Sequence, residues 1–342
     1  ITAIGGRPHA ERVAIDQAGE RARGATGYVT LEPCAHHGAT PPCATALIEA
    51  GVSRVVTAWI DPDSRVDGKG HAMLEAAGIA VETGVRSSDA ARDLQAYLTR
   101  KQLSRPSVTL KLAVSADGYL GRRGEEVAIT GALSRAMVHR LRAEHDAILV
   151  GSGTVLADDP DLTVRLPGLE KRSPHRFVML GRGGAPKRLK MLQNAAQVPV
   201  TVITDQPELP AVFTKAGVTR MVAERTGHQG LSGQGDGFAL PELMEDMAAS
   251  GISSLMVEGG ARIAQSFLDT GLVDRIELFT AVTTLVSGRG GAPILSPISR
   301  SALRLPPPSN TKQAAFQHHR TTTLNGDRLD TFYAINAKPK EF

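Results

Sequence analysis

The sequence predicts an α/β protein of two domains, and three observations predict it. The chain has 342 residues, beyond the size at which one hydrophobic core usually serves a whole chain. Short β-rich runs alternate with runs of helical period in both halves, the pattern of strands joined by helices in a mostly parallel sheet. The segment 101–107, Lys-Gln-Leu-Ser-Arg-Pro-Ser, interrupts that alternation. Residues 1–100 are therefore read as one domain, 101–107 as a linker and 108–342 as a second domain.

In the first domain, apolar residues at helical spacing predict a helix over 9–18. Residues 27–31 form a short strand running into Glu32-Pro33-Cys34. A helix over 43–50 is stopped by Gly51. The next strand spans 52–60, a turn-rich loop 61–70, a helix 71–77, a strand 79–85 and a closing helix 89–100. The second domain opens on a buried strand, 108–114, ending in Ser115-Ala116-Asp117-Gly118. A helix over 133–144 carries Arg142, and a strand over 146–151 follows. Residues 254–260 are a buried strand ending in the pair Gly259-Gly260, with a helix from Ala261. Glycines at a strand-to-helix turn let a phosphate approach the backbone N–H groups of the helix start.

The chemistry concentrates in His9-Ala10-Glu11, Pro33-Cys34 and Cys43. One imidazole and two thiolates are the three-ligand set of a catalytic zinc site that keeps a fourth position open. Glu11, two residues after the histidine, is placed to move protons for a zinc-activated water. H-x-E followed by P-C and a second Cys is the signature of zinc-dependent base deaminases. The chain has only 2 cysteines, and both lie in this motif. The polar, Pro- and Gly-rich stretch between them reads as a loop at the mouth of the metal site.

Composition excludes some classes. No apolar run is long enough to span a bilayer, and no signal-peptide pattern opens the sequence. Cysteine use of the metal type points to a reducing, cytoplasmic setting. The formal charge of +4 is scattered, and aromatics make up only 4%. That composition argues against a base-stacking nucleic-acid surface and suits small phosphorylated ligands.

The run Glu32-Pro33-Cys34-Ala35-His36-His37-Gly38-Ala39-Thr40-Pro41-Pro42-Cys43 resembles the deaminase half of the bifunctional riboflavin-biosynthesis deaminase–reductases. Asp61-Pro62 through Gly68-Lys69-Gly70 is similar to that family's D-P-x-x-x-V-x-G-x-G segment. The stretch from Gly151 to Arg165, with Thr154-Val155 and Asp158-Asp159-Pro160, resembles its reductase half, as does Glu258-Gly259-Gly260. The resemblance implies a cytidine-deaminase-like α/β/α sandwich followed by a dihydrofolate-reductase-like α/β domain. It implies hydrolytic deamination of a phosphoribosylaminopyrimidine and then NADPH-dependent reduction of the ribosyl chain. Carried over by position, the zinc ligands are His9, Cys34 and Cys43, the proton shuttle is Glu11, and His36 is a substrate contact. Ala113, Thr154, Asp158, Gly259, Gly260, Ala261 and Arg262 match cofactor contacts; Arg142, Leu162, Arg165 and Glu258 match substrate contacts. A homo-oligomer through the reductase domain is also expected, with neither nucleic acid nor membrane as partner. The family has a helix and two strands before its H-x-E helix, so this sequence is expected to lack the family's N-terminal segment.

The sequence departs from the family at three sites. Ala39 stands where the family has Lys or Arg, Ala128 where it has Trp, and Leu180-Gly181 where it has Asp-Ser. The last two lie in the nucleotide-binding region, where Arg182, Lys187 and Arg188 offer replacement charge. Two other readings stay open at this point. One is a zinc deaminase whose reductase-like half has lost its activity; the other is a nucleic-acid-editing deaminase with an appended domain.

Overall fold

The computed structural model describes residues 2–3, 6–38, 40–120, 128–180, 188–214, 217–225, 237–285 and 316–335. The chain divides into two compact units, Ile1–Leu103 and Ser104–Ala337. The α/β class read from the sequence holds in both.

In the first unit, α1 (Ala10–Ala18), β1 (Thr26–Val29), α2 (Cys43–Glu49), β2 (Arg54–Thr57), α3 (Lys69–Ala76) and β3 (Ala80–Thr83) alternate. The three strands form a parallel sheet in the order β1-β2-β3. Its core is Ala44, Leu47, Val52, Val55, Leu74 and Ile79, with Ile15, Val29 and Val81 against it. The helix expected over 89–100 is instead two, α4 (Ser87–Asp93) and α5 (Gln95–Leu103), meeting at Leu94. The break has a tertiary cause. It turns α5 so that the Tyr97 hydroxyl donates to Asp61 Oδ1 at 2.6 Å and Lys101 Nζ to Asp63 Oδ2 at 2.8 Å. Helix α5 also runs three residues into the segment read as linker, because Lys101 belongs to that contact.

The second unit is built on a nine-stranded sheet, in the order β11-β12-β10-β4-β9-β5-β6-β7-β8. Its strands are β4 (Ser107–Val114), β5 (Ala147–Gly151), β6 (His175–Met179), β7 (Val200–Thr204), β8 (Val218–Val222), β9 (Ser254–Val257), β10 (Arg275–Thr280), β11 (Phe316–Leu324) and β12 (Asp327–Ala334). From β10 to β8 every pairing is parallel, and the β11–β12 hairpin adds antiparallel to β10. The central strands β5 and β9 read as apolar runs and are buried throughout, as in a parallel sheet covered on both faces. One core holds Leu110, Leu149, Phe177, Leu255 and Phe267, a second Ile148, Val178, Met191 and Val202, and a third Val138, Leu141, Met256, Phe279 and Leu329. The helices are α6 (Ala132–Ala143), α7 (Ser152–Asp158), α8 (Leu240–Ala249) and α9 (Ala261–Asp269). Asp274, buried, receives two bonds from Arg105 at 2.7 and 2.8 Å and one from the Val108 N–H at 2.8 Å, which fixes where β4 starts. No helix of the described residues is long and apolar enough to cross a membrane.

Candidate functional site

In the first unit, His9 immediately precedes α1, and Glu11 lies in its first turn, where a carboxylate is favoured by the helix dipole. Cys43 opens α2 behind Pro42, and Cys34 follows β1 after Glu32-Pro33. His9 Nδ1 lies 3.2 Å from Cys43 Sγ and 3.7 Å from Cys34 Sγ. The three donor atoms all fall within 4.8 Å of one another. Zinc bonds of about 2.0–2.3 Å in a tetrahedron separate ligands by roughly 3.5–3.8 Å, so this donor set fits zinc. Cys34 Sγ also accepts the Cys43 N–H at 3.2 Å. The hydrogen bond from the Cys43 thiol, opposed by burial and helped by that N–H and by His9, brings the Cys34 thiol down to about 5. Cys43 is pushed up, first because its proton is held by Cys34, then by burial and by the adjacent Glu11 carboxylate. Thiolates are the ligand form, so metal binding here releases the thiol protons.

Glu32 is the keystone beneath this site. Its buried carboxylate accepts the N–H groups of Asp61 (3.2 Å), Gly68 (2.9 Å), Gly70 (2.8 Å) and His71 (3.2 Å). It thereby joins the Pro33-Cys34 turn to the start of α3. A Cβ at Gly70 would stand 2.0 Å from the Pro33 carbonyl oxygen, so only glycine permits this approach. The Nδ1 of His36 is buried with no hydrogen-bond partner among the described residues, so the loop between the cysteines carries an unsatisfied polar group.

In the second unit, a cavity of about 860 Å³ lies at the carboxyl ends of β4 and β9 and over α7. Strand ends of a parallel sheet are where such folds bind ligands, and this volume lies within the usual range for one. It is lined by Ala113, Arg142, Thr154, Asp158, Leu162, Arg165, Glu258, Gly259, Gly260 and Ala261, ten of the positions singled out from the sequence. Arg262 is exposed on α9 and does not line it. Gly259 ends the turn before α9, and a Cβ there would stand 2.8 Å from Ile263 Cβ. Gly260 caps α9, with the Thr154 hydroxyl 3.7 Å from where its Cβ would lie. The bare N-terminus of α9 beside Thr154 is a cradle for a phosphate.

Beside it, Arg142 grips Glu258 through Nε at 2.7 Å and Nη2 at 3.1 Å, and its Nη1 donates to the Thr163 carbonyl at 3.3 Å. Lys111 Nζ lies 3.7 Å from the same carboxylate. Burial alone would raise Glu258, yet Arg142 and Lys111 hold it down to about 2. Burial, with Arg142 adding to it and Glu258 opposing, lowers Lys111. Below the cavity wall, the wholly buried Arg176 donates to the Asp161 carbonyl at 3.1 Å, to Asn194 Oδ1 at 2.7 Å and to the Val198 carbonyl. It locks the Asp161 loop in place, and burial brings it to about 10.

Sequence reasoning missed Lys111, Arg176 and the keystone role of Glu32. Lys111 was visible as a lone charge inside the apolar run Val108-Thr109-Leu110-Lys111-Leu112. The partners of Arg176 and Glu32 come from far along the chain, so no local signal marks them. Leu180, one of the departures, is buried in the core beside Val178 and Met191 and does not line the cavity, whereas Ala128 does. Ala39, Gly181, Arg182 and Lys187 lie outside the described residues.

Residues 4–59 match the cytidine and deoxycytidylate deaminase zinc-binding region, and residues 106–305 match the RibD C-terminal domain. The chain is 41% identical to the riboflavin biosynthesis protein RibD of Aquifex aeolicus over 285 residues, 83% of this chain and 76% of that protein. The chain belongs to the RibD family. The Escherichia coli RibD is 38% identical over 84% of this chain and 78% of its own length. Among solved structures, Acinetobacter baumannii RibD superposes with a TM-score of 0.77 at 33% identity, covering 96% of this chain and 86% of that one. A Thermotoga maritima diaminohydroxyphosphoribosylaminopyrimidine deaminase / 5-amino-6-(5-phosphoribosylamino)uracil reductase gives the same TM-score, 0.77, at 28% identity and the same coverage, 96% and 86%. This RibD-family chain is thus an enzyme of riboflavin biosynthesis, with a zinc-binding deaminase domain followed by a reductase domain.

Proposed function

We infer that the chain deaminates 2,5-diamino-6-(5-phosphoribosylamino)pyrimidin-4(3H)-one at the first site. At the second it reduces 5-amino-6-(5-phosphoribosylamino)uracil to its ribityl form. The observation that carries this reading is the convergence of His9, Cys34 and Cys43 beside Glu11, in a chain whose second unit holds the Arg142–Glu258 cavity. His9, Cys34 and Cys43 would hold a zinc ion, which would supply the Lewis acidity for activating water at neutral pH. Glu11 takes a proton from the attacking water, then returns protons to the ring nitrogen and the departing ammonia. His36, with its free buried nitrogen, contacts the pyrimidine.

In the second cavity, Thr154, Asp158 and the turn from Gly259 to Ala261 would hold NADPH, which would supply the hydride. Ala113 packs beside it. Arg165 is more than half exposed and, among the described residues, its guanidinium holds only a 3.5 Å contact with Asp161, so it is available to the ribose phosphate. Arg142 and Lys111 keep Glu258 ionised and oriented toward the substrate, with Leu162 closing the pocket. The enzyme works in the cytoplasm on small phosphorylated molecules and pairs with itself through the reductase domain. The test is a coupled assay on the diamino substrate. Ammonia release followed by NADPH oxidation supports the reading; ammonia release alone leaves a deaminase with a reductase-like second unit.

A further inference from the structure

The turn that brings Arg165 to the second cavity is tied down along its backbone. The Asp161 carbonyl accepts Arg176 Nη1 at 3.1 Å from inside the core, and the Thr163 carbonyl accepts Arg142 Nη1 at 3.3 Å. From α6, His139 Nδ1 accepts the Arg165 N–H at 3.3 Å. Between these ties Leu162 holds a φ of +61°, in the left-handed region that residues with a side chain rarely adopt. The Arg165 guanidinium beyond this backbone is more than half exposed. A long side chain left to itself there samples many rotamers, and binding must then order it at a cost in affinity.

Asp161 stands where it can order that side chain beforehand. Its Oδ2 lies 3.5 Å from Arg165 Nη1 and accepts the Thr163 hydroxyl at 2.5 Å. Its Oδ1 accepts Asn194 Nδ2 at 3.2 Å and lies 3.5 Å from Arg176 Nη1. One carboxylate thus bridges a wholly buried cation to an exposed one. The bridge answers an electrostatic difficulty. A bare carboxylate beside an anion-binding arginine would repel a phosphate; here Arg176, shielded from water, balances its charge. Thr163, Asn194 and Arg176 fix the carboxylate, and the carboxylate fixes which way the Arg165 fork faces. Asp161 and Arg165 both line the cavity. We propose that Asp161 is a positioning residue for the reduction, aiming Arg165 at the 5-phosphate of the pyrimidine substrate before it binds. This rests on the substrate and the Arg165 contact assigned above.

The test is a double-mutant cycle on the full chain with NADPH and the deaminated substrate, using Asp161→Asn, Arg165→Ala and the pair. Ordering one long side chain is worth about two- to tenfold in affinity. Asp161→Asn should raise KM by that factor with kcat unchanged. In the Arg165→Ala background it should change KM no further, because the side chain it aims is gone. A purely structural role would lower kcat or add its effect in that background. Either result overturns the proposal, as does an unchanged or lower KM. Asp161→Asn leaves Arg176 without its counter-charge. If that variant does not fold, Asp161→Glu takes its place in the cycle. It keeps the charge but displaces the carboxylate, so KM should rise in the same Arg165-dependent way. A second measurement does not depend on turnover. Ribose 5-phosphate binding, followed by calorimetry, should weaken by the same factor in Asp161→Asn, and no further in the pair than in Arg165→Ala. If NADPH is never oxidised yet ribose 5-phosphate binding shows this pattern, the reductase reading fails while the positioning role stands. Equal ribose 5-phosphate binding with and without the Asp161 carboxylate overturns that role.

Discussion

Glu11 and Cys43 are side by side yet have different work, and the difference is testable. Cys43 Sγ is one of three donor atoms converging within 4.8 Å; Glu11 is not in that set and only borders it. Glu11→Gln should keep one zinc per chain and lose deamination by roughly a hundred- to ten-thousandfold, read as ammonia release. Cys43→Ser should instead lose zinc and loosen the first unit, because metal binding is coupled to folding. Glu258 carries a pH signature. Its folded value, about 2, lies below its ordinary 4.5. A depressed carboxylate contributes stability that is complete above the ordinary value and lost as pH falls toward the folded one. Acid unfolding of the second unit should therefore steepen between about 4.5 and 2, and Glu258→Gln should flatten that region, followed by circular dichroism.

At the scale of elements, close packing of a turn shapes the proposed nucleotide site. Strand β9 and helix α9 meet at Gly259, where a Cβ would stand 2.8 Å from Ile263 Cβ. Gly259→Ala must push α9 away from the cavity. Overpacking of this kind costs about 1–3 kcal/mol, and the displaced helix start should weaken NADPH binding about tenfold while zinc content and ammonia release stay as they were. Equilibrium NADPH titration checks it. The α4–α5 break shows the same principle from the other side. The helical pattern of 89–100 is continuous in sequence, but Tyr97 and Lys101 reach Asp61 and Asp63 only when the chain turns at Leu94.

At the scale of the whole molecule, each site is assembled from residues of one unit. The donors His9, Cys34 and Cys43 all precede Leu103, and the residues lining the 860 Å³ cavity all follow Ser104. The two reactions should therefore separate. Chelation of zinc should abolish ammonia release and spare NADPH oxidation on substrate already deaminated; Asp158→Asn or Arg165→Ala should do the reverse, with Arg165→Ala raising KM at least as much as it lowers kcat. Loss of both reactions on chelation would show that the sites are coupled.

The sequence by itself determined the α/β class, the order of most elements, the zinc donors and ten of the residues around the second cavity. The first three are signals written locally, in H-x-E, P-C and apolar runs of period two or 3.6; the ten cavity residues came from the resemblance to the deaminase–reductase family, position by position. It did not show that Arg262 turns outward on α9 while Ala261 faces the cavity, since a helix face is chosen only when the helix docks. Nor did it show that Lys111 joins Arg142 on Glu258, or that Arg176 holds the Asp161 loop from within the core. Those pairings join residues 15 to 147 positions apart, such as Arg176 with Asp161 and Lys111 with Glu258. Only the tertiary structure decided them, because a buried charge takes whatever partner the packed backbone brings within reach, and that choice leaves no mark in the neighbouring sequence.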